Sequence, residues 1–377
     1  MDHKELVVHF GAGSLGRGFI VPILLESGCN VTLVDANEEL VNKLKETHSY
    51  TLVIVDEEEG KQQKQIKVDR VLSARTDADI LKDVLKTVKT VTTSVRQENL
   101  IHVAKTISEV WGDEENSDRA VICCENLENA SGYFKSLLAD CARDEKQKER
   151  LMKIKVPDTM VDRGCSQSYS DPTVVYTERF YEIGVDKKEL PDTGIRLIPS
   201  VDNLEQHFYR KRFLLNTRVD ALAFVGLYYG LNNFTELKKS EKIMNEVTPY
   251  FDLVKKSLEV GFGMEKEEVE KWASFYWNER GKQSKKASSK DERKLVDIAR
   301  DMWRKLSYDE RFIKPLVVLK RNGYEIDSGI HIIVMMVKYL AKEDHLSKAE
   351  TLDKIGAMWR MDETGEAIYA SVAKMMD

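Results

Sequence analysis

An apolar run, Leu6–Phe10, leads into Gly11-Ala12-Gly13-Ser14-Leu15-Gly16; a helical stretch closed by Gly28 follows, and a second apolar run ends in Asp35. A glycine turn of that spacing, set between a strand and a helix, opens the βαβ unit of a doubly wound parallel sheet. Each part has a physical task. Gly11 permits a tight turn, Gly13 lets the backbone approach a pyrophosphate, and Gly16 lets the helix pack closely on the sheet. The helix N-terminus offers unpaired N–H groups and the positive end of its dipole to the phosphates. A carboxylate about twenty residues beyond the turn accepts hydrogen bonds from the adenosine ribose. Its charge repels a 2′-phosphate. Asn37 follows closely and no arginine stands beside Asp35. The expected cofactor is therefore NAD rather than NADP, with Gly11, Gly13, Ser14, Leu15, Gly16, Asp35 and Asn37 as its contacts.

Strand and helix signals alternate from there to about residue 180, as in a mainly parallel sheet covered on both faces. Val31–Asp35, Tyr50–Val55, Ile66–Ala74, Val88–Val95, Ala120–Cys124, Thr159–Asp162 and Val174–Phe180 read as strands. The polar segment EEEGKQQK between Tyr50–Val55 and Ile66–Ala74 reads as a hairpin. Ligands of open sheets sit at the carboxyl ends of strands. Thr93, Ser94 and Val95 are accordingly expected to wall the nicotinamide side; the alternative is a strand end capped by hydroxyls. A segment carrying Pro191, Gly194 and Pro199 marks a boundary. Residues 1–195 are expected to form the NAD-binding Rossmann domain and residues 196–377 a mainly α-helical one. In the second, apolar residues recur at three and four over 241–260, 291–306, 328–342 and 347–376.

Composition narrows the function. The net charge is −6 over 377 residues, so a general affinity for nucleic acid or an anionic membrane is not expected. No apolar run is long enough to span a bilayer, and the N-terminus lacks a basic stretch followed by a long apolar one. A cytoplasmic location is expected. The cysteines, Cys29, Cys123, Cys124, Cys141 and Cys165, are odd in number and form no CxxC pair, which fits reduced thiols. Cys123 and Cys124 lie in an apolar run and read as packing. The seven histidines are scattered without metal spacing, so no metal is expected. Asn278–Lys294 is basic and polar, and reads as a solvated loop or as one that grips phosphate. A monomer or weak homo-oligomer is expected.

HFGAGSLGRGFI at 9–20 resembles the opening of the mannitol-1-phosphate 5-dehydrogenase family, among the polyol-specific long-chain dehydrogenases. Further matches run in order: HSY at 48–50, VTTSV at 91–95, CEN at 124–126, VDR at 161–163, VDK at 185–187, RKRFLLNT at 210–217 and RKLSYDERFIKPL at 304–316. The resemblance implies a Rossmann domain, a helical domain, and NAD(H)-linked interconversion of mannitol 1-phosphate and fructose 6-phosphate without a metal. The family's catalytic Lys falls on Lys211 and its Asn on Asn216. These types suit the chemistry. A lysine ammonium gives a proton to a ketone oxygen as hydride arrives, and an asparagine amide holds the developing alkoxide. The bland alternatives are a solvated lysine in an Arg-Lys-Arg cluster and a helix cap. Glu125, Asn126, Asp162, Arg163 and Arg311 are the expected substrate-pocket residues, one of the cations meeting the substrate phosphate.

The chain departs from the family pattern where a Gly-His pair is expected. Arg218 and Val219 stand there, with Gly226 still in register. Val219 lies three after Asn216, hence on its helical face. Asp220 shares that face, and its charge opposes an alkoxide. Arg96 stands for a glycine, Gly164-Cys165-Ser166-Gln167 for a diproline region, and the basic loop around Lys285 for an Asn-Pro segment. Three functions remain open: the polyol-phosphate dehydrogenase, a dehydrogenase of another polyol or sugar acid, and a non-catalytic NAD(H)-binding relative.

Overall fold

The computed structural model describes residues 5–56, 60–125, 127, 129–280 and 294–376. The chain divides into two units, one running to Leu204 and the other beginning at Glu205.

The first unit is built on a five-stranded sheet: β1 (Leu6–Phe10), β2 (Asn30–Asp35), β5 (Arg70–Ser73), β6 (Thr90–Thr93) and β7 (Ala120–Cys123). Its spatial order is β5-β2-β1-β6-β7, every pairing parallel. Apolar residues on both sides of each strand explain the burial. Val7 joins a core with α1 (Val21–Glu26) and α2 (Glu38–Thr47). Val8 and Phe10 join another with α3 (Ala78–Thr87), α4 (Leu100–Trp111) and α5 (Ala130–Cys141). The strand order reverses between β1 and β6, which sets the switch point at the ends of Phe10 and Thr93.

Several strands read as part of one sheet belong elsewhere. β3 (Ser49–Asp56) pairs antiparallel with β4 (Gly60–Lys67) and parallel with β10 (Val174–Glu178), which also pairs with β9 (Cys165–Gln167). The hairpin expected there is present as the antiparallel β3–β4 pair, and the described part of the polar segment, from Gly60 on, lies in β4, an edge strand with little to bury. The run read as Ile66–Ala74 splits: Ile66 and Lys67 end β4, whereas Arg70–Ser73 enters the parallel sheet. Val88–Val95 shortens to Thr90–Thr93: Val88 closes α3, and past Thr93 the Ser94 N–H still reaches Phe10 O while its hydroxyl holds the glycine turn. β8 (Thr159–Asp162), β11 (Glu182–Asp186) and β12 (Ser200–Val201) form a third sheet. The β11–β12 pairing and the buried Ile195 and Ile198 keep residues past 195 with the first unit.

The second unit is helical, around one apolar core from Tyr209 to Val372. It runs through a π turn at Lys211–Thr217, α8 (Arg218–Tyr228), α9 (Phe234–Lys239), α10 (Glu241–Phe262) and α11 (Lys266–Ser274), then helices at Lys314–Arg321 and Asp327–Glu343. The expected helix over 291–306 is reduced, where described, to short turns at Leu295–Ile298 and Met302–Lys305. The segment 347–376 breaks into Lys348–Trp359 and Glu363–Met375, since the Asp362 carboxylate caps the second by accepting from Gly365 N. No described helix is long and apolar enough to cross a membrane.

Candidate functional site

The glycine turn leaves β1 at the switch point. Gly11 has φ 111°, a conformation glycine tolerates. A Cβ at Gly16 would lie 1.9 Å from the Gly11 carbonyl oxygen, so the turn closes on itself only with glycine there. Gly13 differs: a Cβ would meet nothing within 4 Å, and its φ is not positive. Neither packing nor backbone conformation requires glycine at that position. What it leaves is open backbone beside the first helical residues, Ser14 and Leu15, which are partly exposed with it.

Asp35 ends β2 and faces the turn. Its Oδ2 accepts from Ala12 N at 2.6 Å and its Oδ1 from Asn37 N at 2.8 Å. The carboxylate is fixed, yet each oxygen keeps lone pairs for a further donor. The Asn37 side chain is used as a cap, accepting from Leu40 N at 3.2 Å.

Arg17, just after the turn, was not foreseen as a functional residue. It is fully buried; its Nε donates to Ala12 O and its Nη1 to Pro172 O, both at 2.6 Å. The Tyr50 hydroxyl donates in turn to Arg17 O at 2.7 Å. The arginine thus ties the glycine turn to a segment 155 residues away. Its only sequence signal is the Gly-Arg-Gly-Phe that follows the third glycine.

At the ends of β6 and β7 the structure brings Thr93, Val95 and Glu125 together. Thr93 Oγ1 donates to Glu125 Oε2 at 2.7 Å and Val95 N to Oε1 at 2.9 Å. Glu125 is buried, and burial pushes its pKa upward. Ser94 turns the other way: its hydroxyl donates to Gly11 O at 3.2 Å and lies 3.0 Å from His9 Nε2. That side chain braces the turn. His9 bridges Ser94 and Thr92, and complete burial lowers its pKa to about 3. Asp162 is buried at the end of β8. Arg163 stacks between Phe19 and Tyr181, at 5.5 and 5.3 Å, and its Nε donates to Glu178 O. Asn126 and most of the basic loop, including Lys285, lie outside the described residues.

In the second unit, Lys211 opens the π turn and Asn216 lies near its end, both partly exposed. A π turn bonds residue i to i+5, so Lys211 sits one turn before Asn216; α-helical spacing would have set them apart. Thr217 Oγ1 donates to Arg212 O at 3.0 Å and to Arg311 O at 3.2 Å, which fixes the turn's far end. Asp220, buried, accepts from Lys305 Nζ at 3.0 Å and from Arg311 Nη1 at 2.9 Å. Its charge is spent on two cations, which corrects the expectation that it would oppose an alkoxide. Arg311 is correspondingly engaged. Among the described residues no cluster of His, Cys, Asp or Glu could hold a metal ion.

Together, the parallel sheet, the glycine turn and the anchored acid define a dinucleotide-fold protein with an appended helical unit. The mannitol dehydrogenase Rossmann domain model matches residues 5–198. Mannitol-1-phosphate 5-dehydrogenase of Lacticaseibacillus casei is 30% identical over 346 residues, covering 89% of this chain and 88% of that one. The enzyme of the same name from Streptococcus mutans is 27% identical over 356 residues, covering 90% and 89%. The chain belongs to the mannitol dehydrogenase family, and its first unit is that family's Rossmann domain. In fold it is similar to Pseudomonas fluorescens mannitol 2-dehydrogenase, solved as a ternary complex with NAD and D-mannitol. The TM-score is 0.71 at 15% identity, over 100% of this chain and 92% of that one. A D-sorbitol dehydrogenase gives 0.76 at 16%, over 99% and 92%.

Proposed function

We propose that the protein is an NAD(H)-dependent oxidoreductase interconverting a sugar alcohol phosphate and a ketose phosphate, namely mannitol 1-phosphate and fructose 6-phosphate. One observation carries the dinucleotide reading: Gly13 is glycine although neither packing nor φ asks for it. A glycine turn used for packing alone has no need of that residue; one that cradles a diphosphate does. Gly11, Gly13, Ser14, Leu15 and Gly16 hold the diphosphate, with Asp35 on the adjoining ribose. Asp35 selects NAD, because its charge repels a 2′-phosphate. Thr93 and Val95 stand at the switch point where the nicotinamide end is expected.

When bound, NAD(H) accepts or supplies the hydride. Lys211 Nζ delivers a proton to the substrate oxygen during reduction and removes it during oxidation. The Asn216 amide donates a hydrogen bond to that oxygen as charge develops on it. Val219, partly exposed on α8, cannot donate one. An oxyanion donor is typically worth about 10²–10³ in turnover, so a slow enzyme is expected. Val219 also favours a second reading, a protein that binds NAD(H) without turning over.

The test is spectrophotometric. Purified protein receives NADH and a panel of ketose phosphates while the nicotinamide absorbance is followed. Oxidation with fructose 6-phosphate is the expected result, and Val219→His is expected to raise it. Oxidation only with another ketose moves the substrate. Calorimetry showing binding without any turnover selects the second reading, and no heat on titrating NADH overturns both. Turnover intact in Lys211→Ala removes Lys211 from its role.

A further inference from the structure

Arg218 opens α8 directly after the π turn that carries Lys211 and Asn216. Its guanidinium lies over the Trp277 ring, 4.8 Å from the centroid, and 5.6 Å from that of Phe251. Trp277 is itself pinned, its Nε1 donating to Leu214 O in the same π turn at 2.8 Å. The fork is therefore held in a fixed orientation by the segment it adjoins. Its Nε is sealed from solvent and has no hydrogen-bond partner among the described residues. Burial alone lowers its pKa, to about 10, with no acid opposing the shift, so the group stays charged at neutral pH.

The cations around it are differently placed. Lys305 and Arg311 share Asp220. Lys255, 5.7 Å from the Trp277 ring centroid, pairs with Asp252 and Glu270 at 3.0 and 2.9 Å. Taking a charge out of water without a counter-ion is expensive, and such groups are normally paired. A planar fork stacked on aromatic rings matches the geometry of a carboxylate or phosphate. The residue is partly exposed, so an anion can reach it.

We propose that Arg218 is the anion-recognition residue of the helical unit, taking an oxyanion group of the substrate, phosphate or carboxylate, against the Trp277 face. This rests on the reading of the Lys211–Asn216 segment as the place of catalysis. It places phosphate recognition two positions past Asn216, on neither of the cations the sequence offered, Arg163 and Arg311, the second of which Asp220 already engages.

The test needs no turnover. Thermal unfolding of the cofactor-free protein is followed while inorganic phosphate, acetate or, at matched ionic strength, sodium chloride is added. A saturable rise in midpoint with phosphate is expected, absent with chloride, together with a change in tryptophan fluorescence. In Arg218→Gln the rise should vanish or its apparent Kd increase at least tenfold. That variant should also be the more stable one in anion-free buffer, since it leaves no Nε buried without an acceptor. Arg218→Lys, which keeps the charge and the fold, should weaken the phosphate response several-fold by losing the fork. In turnover, Arg218→Gln should raise KM for the ketose phosphate at least tenfold and leave KM for NADH unchanged. A rise with acetate alone supports the site and assigns it to sugar acids. A wild-type protein that ignores both anions while oxidising NADH overturns this inference and leaves the dehydrogenase standing. A phosphate response equal in Arg218→Gln and wild type also overturns it. Failure to bind NADH would overturn the dehydrogenase reading and leave the phosphate response intact.

Discussion

Arg96 has φ 70° and ψ 156°, a region of backbone space that belongs almost wholly to glycine. It follows Val95, whose N–H is fixed on Glu125, so the chain must turn sharply at residue 96 to enter the next helix. Holding a side chain there costs about 1–3 kcal/mol. Arg96→Gly is expected to raise the free energy of unfolding by about 1 kcal/mol, after the entropy that glycine adds to the unfolded chain. Urea titration checks it; an unchanged or lowered midpoint would place the strain elsewhere. Single residues were unevenly legible. Asp35 could be read because its partners are a short motif away. Arg17 could not, since its second anchor is Pro172 O, and Arg218 hid because a cation without an acid beside it has no sequence signature.

The glycine turn and the π turn are short elements in which one position can be separated from its neighbours. Gly16→Ala forces a Cβ into the Gly11 carbonyl and should disrupt the first unit, seen as loss of soluble, cooperatively unfolding protein. Gly13→Ala has room for its methyl and should unfold like wild type, yet lose NADH binding by calorimetry. Equal stability and equal binding in Gly13→Ala would refute the cradle. In the helical unit, Asp220→Ala strands Lys305 and Arg311 without their buried acid. Breaking a buried pair costs about 3–5 kcal/mol, so a large fall in the second unit's unfolding free energy is expected. A change under 1 kcal/mol would mean that water replaces the carboxylate. Elements that bury apolar faces were legible from pattern: most of the parallel strands as short continuous apolar runs, and the long helices over 241–262 and 327–343 by their helical repeat. For β4 the hairpin was legible but the strand's extent was not, because an exposed edge strand has no apolar side to reveal it. The π turn was invisible too, as nothing in RKRFLLNT distinguishes a wide turn from an α-helical one.

Acid stability ties His9 to the whole first unit. Its pKa is lowered from 6.5 to about 3 by burial, so the native state keeps the ring neutral while the unfolded chain protonates it below 6.5. The contribution is fully present above pH 6.5 and is lost as pH falls toward 3, at about 1.4 kcal/mol per pH unit. His9→Asn should remove that slope: the gap between variant and wild type narrows as pH drops from 6.5 to 4.5, read by urea unfolding at each pH. Parallel profiles would show that the ring does not report on folding. The open hydrogen at residue 13 speaks to a longer timescale. A lineage that ceased to carry a dinucleotide would lose that glycine by drift, because folding does nothing to retain it, while Gly16 would persist as long as the chain folded. Related sequences that keep glycine at position 16 but differ at position 13 could therefore be recognised as retired from redox work before any of them is purified.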